Sequence, residues 1–176
     1  MLLHGDAPAQ GDVPVRRALD DDLNRLYGTA DDPDCFYLTA GAAGALCCVL
    51  SALGGPGDVF LTFAPYVPGY KVFVESAGGT LTAVPANLED FQIDFAALEA
   101  ALSPQVKGII INSPNNPTGV VYSEATIRKL AQVLTAKSQE CGHPIWLSSD
   151  EPYREIVYQA DPLPWVPSYY TNTLGC

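Results

Sequence analysis

Two short apolar runs, each ending in a cluster of polar and turn-forming residues, most constrain the fold of this chain. The first, Lys107–Asn112 (KGIIIN), is rich in β-branched residues and is followed by the turn-forming stretch Ser113–Gly119 (SPNNPTG). The second, Pro144–Leu147 (PIWL), is followed by a polar cluster that ends in Asp150. Such runs are typical of strands buried on both faces of a parallel sheet. Ligands bind outside the carboxyl ends of these strands, so Asn116 and Asp150 are candidate ligand-binding residues.

The two clusters together resemble the cofactor motifs of the class I/II aminotransferases, which are pyridoxal-phosphate (PLP) enzymes of fold type I. The matching residues are Asn116–Gly119 (NPTG) and Asp150–Tyr153 (DEPY), separated by one predicted helix and one predicted strand. In the family, the Asn and the Tyr hydrogen-bond the phenolic oxygen of PLP, and the Asp pairs with its pyridine nitrogen. The resemblance therefore implies that Asn116, Asp150 and Tyr153 bind the cofactor.

A small-residue turn further upstream has the pattern of a phosphate-binding site. Gly41–Gly44 (GAAG) follows a predicted strand at Cys35–Leu38 and precedes an apolar helix at Ala45–Leu53. Backbone N–H groups at a helix N-terminus favour an anion, although small residues also suit tight packing of a helix on a strand. The resemblance implies that the PLP phosphate is held by three backbone amides, those of Gly41, Ala42 and Ala43. It also implies that the ring of Tyr66, which follows the next predicted strand, stacks on the cofactor.

Strand and helix patterns alternate along the chain, which predicts an α/β fold of three α/β/α layers around a mostly parallel sheet. The predicted strands are Cys35–Leu38, Asp58–Phe63, Thr80–Val84, Lys107–Asn112, Pro144–Leu147 and the start of a sixth at Thr171–Cys176. The predicted helices begin near Pro14, Ala45, Pro68, Asp94 and Glu124. The family's sheet order implies that the second to fifth strands pair in the order third, second, fourth, fifth. Cys35–Leu38 is expected to be detached from the other strands or covered in another way, because its neighbour in the family's sheet lies outside this chain.

One residue that the resemblance implies is missing from the chain, namely the lysine that forms the Schiff base with PLP. In the family it lies on the strand after the Asp strand, in a Ser-x-Ser-Lys-type motif, and Thr171–Cys176 matches only the start of that strand. The chain has four lysines, Lys71, Lys107, Lys129 and Lys137, on predicted helices or at the start of a strand. We therefore expect residues 1–176 to be an incomplete PLP-binding large domain without a complete second domain. We expect the chain to be inactive alone, with its catalytic lysine beyond Cys176.

Charge and composition exclude several classes of partner. The formal net charge of −11 argues against nucleic acid and anionic membranes, because no basic patch is available to neutralise phosphates. The five cysteines contain no C-x-x-C spacing, so no metal site is expected, and reduced cysteines are typical of a cytoplasmic protein. The start, Met1–Asp6, lacks the features of a signal peptide. Glu151 and Arg154 are interpreted as surface charges.

The function that the resemblance implies is transfer of an amino group between an amino acid and a 2-oxo acid, by a protein that is a homodimer at full length. Another fold type I PLP enzyme, a β-lyase or a decarboxylase, is an alternative because the same cofactor contacts serve all three. A non-catalytic remnant or fragment that binds PLP weakly, or binds a partner chain, is a second alternative. A dinucleotide-binding domain with Gly41–Gly44 as its phosphate turn is a third, weakened because the G-x-G-x-x-G pattern is missing.

Overall fold

The computed structural model describes residues 8–158 and 163–176, in two compact units that meet in sequence between Ala45 and Leu46. The expectation about a signal peptide at Met1–Asp6 lies outside the described residues. None of the described helices is both long enough and apolar enough to cross a membrane.

The first unit contains a helix, a short turn and the start of a second helix. Helix α1 (Val13–Tyr27) has a proline in its first turn and ends at Gly28, as predicted. A 3₁₀ turn follows at Pro33–Cys35, and helix α2 (Gly41–Leu53) begins four residues before the predicted start. The guanidinium of Arg16 donates to the carbonyl of Pro33 at 2.6 Å and ties the turn to α1.

The prediction of a strand at Cys35–Leu38 was wrong. Cys35 ends the 3₁₀ turn, and the following residues belong to no described strand. A backbone hydrogen bond outside the sheet forms here instead, since the amide of Leu38 donates to the carbonyl of Gln10 at 2.9 Å. As expected, this segment pairs with none of the described strands of the sheet.

The second unit is built on a five-stranded parallel sheet of order β2-β1-β3-β4-β5. The strands are β1 (Val59–Ala64), β2 (Thr80–Pro85), β3 (Val106–Asn112), β4 (Trp146–Asp150) and β5 (Thr173–Gly175). The helices between them are α3 (Gly69–Ser76), α4 (Phe95–Ala101) and α5 (Glu124–Cys141). This order confirms the predicted strand order, and the alternation of strand and helix gives the predicted α/β class.

Helices cover both faces of the sheet because the central strands are apolar on both sides. In β3, Ile109 and Ile111 join a core that includes Leu98 of α4 and Leu130 of α5. Ile110, between them, joins a second core. Successive side chains of a strand point to opposite faces, so these cores lie on opposite sides of the sheet. The second core is completed by residues of α2, β1 and α3, namely Leu46, Leu50, Phe60, Tyr70 and Val74.

Strand β4 extends three residues beyond the predicted end. Ser148 and Ser149 pair with Ile110 and Ile111 of β3, although both serines are polar. Strand pairing satisfies their backbone groups, and both side chains are buried. The extension places Asp150 at the last position of the strand.

Candidate functional site

The two sequence motifs meet at the carboxyl ends of β3 and β4. Asn112 and Asp150 are directly opposite in the register of the two strands. The side-chain amide of Asn112 donates to the backbone carbonyl of Asp150 at 2.8 Å, and its oxygen accepts from the backbone amide of Asn116 at 2.6 Å. Asn112 is only 3% exposed. One buried side chain therefore joins the loops that carry both motifs.

The NPTG turn is held by its own side chains. The side-chain oxygen of Asn115 accepts from the backbone amide and the hydroxyl of Thr118, at 3.1 and 2.8 Å. Gly119 has a φ of +74°, a conformation that favours glycine, and its amide donates to the carbonyl of Asn115 at 2.8 Å. The turn leaves Asn116 exposed, and its side-chain amide donates to the Tyr153 hydroxyl at 3.1 Å. The two residues predicted to share one ligand atom are therefore neighbours.

Asp150 is a buried carboxylate with one oxygen in use. It is 5% exposed, and Oδ2 accepts a short hydrogen bond from the hydroxyl of Tyr70. Oδ1 is buried and has no hydrogen-bond partner within the described part of the chain. Burial raises the pKa of this carboxyl above its usual range, and the hydrogen bond from Tyr70 partly offsets that rise. A cationic N–H donor at Oδ1 would satisfy the oxygen and favour its charged form.

Tyr66 lies in the loop between β1 and α3. Its ring is stacked on that of Tyr70, with centroids 6.4 Å apart and planes inclined by 10°. Tyr66 is half-buried, whereas Tyr70 is only 2% exposed. The aromatic side chain predicted to stack on a ligand is thus connected to Asp150 through Tyr70.

Four of the predicted site residues are brought together by these contacts: Tyr66, Asn116, Asp150 and Tyr153. The other three, Gly41, Ala42 and Ala43, form the first turn of α2 and belong to the first unit. The amide of Gly41 already donates to the carbonyl of Thr39 at 2.9 Å. Of the three predicted amides, those of Ala42 and Ala43 therefore remain available to an anion. The cofactor role of all seven residues stays a prediction.

Two residues of this cluster were missed in the sequence. Asn112 carries a local signal, because it is the polar last residue of an otherwise apolar strand. Tyr70 carries no local signal in the sequence. It lies 80 residues from Asp150, and the two residues meet only because of the way α3 packs.

The expectation that Glu151 and Arg154 are surface charges was wrong. Their ion pair is 2.5 Å long, and the side chains of Glu151 and Arg154 are only 7% and 15% exposed. The Ser149 hydroxyl donates to Glu151 at 2.6 Å, and Arg154 also donates to the carbonyls of Leu163 and Pro164 at 3.0 and 3.1 Å. Burial raises the pKa of Glu151, and the bonds from Ser149 and Arg154 oppose this rise. The pair fixes the loop after Asp150.

Comparison with known proteins shows that most of this chain matches one protein family. The family model for class I and II aminotransferases matches residues 4–170. A probable aspartate/prephenate aminotransferase of Thermus aquaticus is 35% identical over 154 residues, which are 87% of this chain and 39% of that protein. The chain therefore spans about 39% of the length of this relative.

Solved structures give the same result for the fold. The crystal structure of an amino transferase from Eubacterium rectale superposes with a TM-score of 0.96 at 52% identity, covering 98% of this chain and 44% of that one. The aspartate aminotransferase of Thermus thermophilus with maleate superposes with a TM-score of 0.86 at 30% identity, covering 97% of this chain and 44% of that one. Both show the same arrangement of strands and helices as this chain.

Proposed function

Because the chain belongs to the class I and II aminotransferase family, we propose that it is the PLP-binding core of an enzyme that transfers an amino group between an amino acid and a 2-oxo acid. Enzymes of this family use pyridoxal phosphate. The observation that carries the proposal is the buried Asp150 carboxylate, whose Oδ1 has no partner among the described residues. The dinucleotide-binding alternative is not retained, because the family match and the relatives are aminotransferases.

Asp150 provides the principal interaction with the cofactor. When bound, PLP supplies a pyridinium ring that withdraws electrons from the α-carbon of the amino acid. Oδ1 of Asp150 would accept a hydrogen bond from the N–H of the ring nitrogen and would keep that proton in place. The carboxylate is suited to this role because it is buried and lacks an ion-pair partner in the described residues, so the ring cation is its natural counter-charge.

The other side chains orient the ring. Asn116 and Tyr153, whose side-chain nitrogen and hydroxyl oxygen are 3.1 Å apart, would donate to the phenolic oxygen of the cofactor. Tyr66 would offer a flat aromatic face to the ring, and the amides of Ala42 and Ala43, at the start of α2, would bind the phosphate. Such prior orientation lowers the entropic part of the barrier to reaction.

We also propose that the full protein is a cytoplasmic homodimer, as the resemblance implies. The five cysteines are all free, which fits a reducing compartment. The relatives are named for different substrates, among them aspartate/prephenate and methionine, so the proposal covers the reaction class and not one amino acid.

A binding experiment tests this function without the missing lysine. Pyridoxamine phosphate, which forms no covalent bond with lysine, is titrated into the purified chain by isothermal calorimetry. Asp150→Asn should weaken binding about tenfold to a hundredfold, because it removes a charge-assisted hydrogen bond. Asp12→Asn is the matched control, because Asp12 is exposed and its side chain caps no helix amide. Equal affinities of the wild type and Asp150→Asn would overturn the proposal.

A further inference from the structure

The sequence motifs do not predict the contact between Tyr70 and Asp150, because Tyr70 lies outside both of them. Tyr70 is the second residue of α3, whereas Asp150 ends β4. The Tyr70 hydroxyl donates to Oδ2 of Asp150 in a short hydrogen bond, and the Tyr70 side chain is almost wholly buried.

Packing fixes the Tyr70 side chain. It lies in the core formed with Leu46, Leu50, Phe60, Val74 and Ile110. Its ring is also stacked on Tyr66, and its backbone amide donates to the carbonyl of Val67 at 3.0 Å. A hydroxyl held in this way stays at one place relative to the end of β4, because buried side chains are confined to one rotamer by close packing.

Asp150 is consequently held at two points, one on its backbone and one on its carboxylate. Its backbone carbonyl accepts from Asn112 at 2.8 Å, and Oδ2 accepts from Tyr70. Rotation about the Cβ–Cγ bond would break the second contact, so the plane of the carboxylate is fixed. Oδ1 remains buried and without a partner among the described residues.

We propose that Tyr70 is a positioning residue that occupies Oδ2 of Asp150 and so commits Oδ1 to the ring N–H of the cofactor. The inference rests on the proposed function and adds to it the residue that selects which carboxylate oxygen is used. It goes beyond the sequence motifs, which assign a role to Asp150 but none to Tyr70.

A tyrosine suits this role because it holds the carboxylate without neutralising it. Burial and the neighbouring Asp150 raise the pKa of Tyr70 far above its usual value, so its hydroxyl keeps its proton. Burial raises the pKa of the nearby Cys176 thiol to about 12, so this thiol is neutral at pH 7. In the described part of the chain, the other titratable groups beside the pair include Tyr66, Tyr153 and Glu151, and none of these three is a cation. An arginine or lysine in place of Tyr70 would instead compete with a cationic ring for Asp150.

Tyr70→Phe tests the inference, with Tyr170→Phe as the matched control. Tyr170 is also buried, and its hydroxyl donates to the carbonyl of Ile145 at 2.6 Å. Ile145 is five residues before Asp150, about 17 Å away along an extended chain. Both variants therefore lose one buried hydroxyl donor, but only Tyr70→Phe loses the one on Asp150. Urea unfolding of both variants checks that they fold.

The first readout is the titration of Asp150 in the cofactor-free chain, followed by carbon-13 NMR of labelled aspartate carboxyls. The Asp150 signal is identified by its absence in Asp150→Asn. Its midpoint should rise by about one pH unit in Tyr70→Phe, because the donor to the charged form is lost, and stay unchanged in Tyr170→Phe. Difluorotyrosine at position 70, a stronger donor, should lower the midpoint. An unchanged midpoint in Tyr70→Phe would overturn the inference.

The second readout is the affinity for pyridoxamine phosphate. Tyr70→Phe should weaken it about tenfold, and Tyr170→Phe should leave it unchanged. If Asp150→Asn weakens binding but Tyr70→Phe binds as tightly as the wild type, the inference fails and the proposed function stands. If the wild type and Asp150→Asn bind equally, the proposed function fails and the inference fails with it, and the NMR result then reports only on the hydrogen bond between Tyr70 and Asp150.

Discussion

Asn112 and Asp150 end neighbouring strands, and the side chain of the first holds the backbone of the second at 2.8 Å. The same side chain accepts from the backbone amide of Asn116 at 2.6 Å. Both loops of the candidate site are therefore fixed relative to each other by one residue that we do not expect to touch the ligand.

Asn112→Ala should act mainly by destabilising the fold, because we do not expect Asn112 to touch the ligand. It leaves a buried backbone carbonyl and an amide without partners, at a cost of about 2–4 kcal/mol in the free energy of unfolding. Asn116→Ala keeps both of these bonds, because Asn116 contributes its backbone amide to one of them and takes no part in the other. It should cost less than about 1 kcal/mol. Urea unfolding compares the two variants, and pyridoxamine phosphate affinity should fall in Asn116→Ala although its stability is kept. Equal destabilisation by both changes would contradict the linking role of Asn112.

Asp150 should make the cofactor-free chain less stable as the pH rises. Its pKa in the folded state is raised by burial above the ordinary value of 3.8, so between these two values the folded state binds more protons than the unfolded state. Stability from this group is complete below pH 3.8 and is lost as the pH rises through the folded pKa. Asp150→Asn should therefore gain stability relative to the wild type between pH 4 and 7. The measurement is urea unfolding across this range.

The control for this pH series is Asp12→Asn, which removes an exposed carboxylate. The difference in the free energy of unfolding between Asp12→Asn and the wild type should not increase with pH as it does for Asp150→Asn. A difference between Asp150→Asn and the wild type that is independent of pH would show that burial does not disfavour the Asp150 carboxylate.

Arg154→Ala should be strongly destabilising. It leaves the carboxylate of Glu151, which is only 7% exposed, without its cation, and it removes the bonds to Leu163 and Pro164. Breaking a buried pair by removing one partner costs about 3–5 kcal/mol. Arg128→Ala removes an exposed pair with Glu124 on α5 and should cost far less, because water screens an exposed pair. Thermal and urea unfolding of the two arginine variants distinguish them, and similar losses would contradict the buried role of Arg154.

The four lysines of this chain should not bind PLP specifically. Lys71 and Lys137 pair with Glu75 and Glu140 on their own helices, at 3.8 and 2.8 Å, and Lys129 lies 4.2 Å from the ring centroid of Phe95. Lys107 is five residues before Asn112 and so about 17 Å from the carboxyl edge of the sheet. Borohydride reduction of a PLP–chain mixture followed by peptide mapping should give scattered, substoichiometric labelling and no amino-group transfer above free PLP. One fully labelled lysine with turnover would contradict this prediction.

The sequence by itself determined the class of the fold and the position of the two motifs, and the order of the strands followed from the family resemblance that these motifs carry. Apolar β-branched runs such as Lys107–Asn112 are typical of strands buried on both faces of a parallel sheet. A glycine such as Gly28 marks the end of a helix because it readily adopts the left-handed backbone conformation found there. Local signals of this kind depend on a few neighbouring residues, which is why they can be read in the chain.

The tertiary structure decided what the local signals do not contain. Ser148 and Ser149 are polar, yet pairing with β3 makes them part of β4, while Cys35–Leu38 has strand composition but no described strand to pair with. The choice of Oδ2 as the bonded oxygen of Asp150 depends on where the core places Tyr70, 80 residues away. Burial and strand pairing are properties of the assembled chain, because they are set by neighbours distant in sequence, and these neighbours determine the geometry of the site.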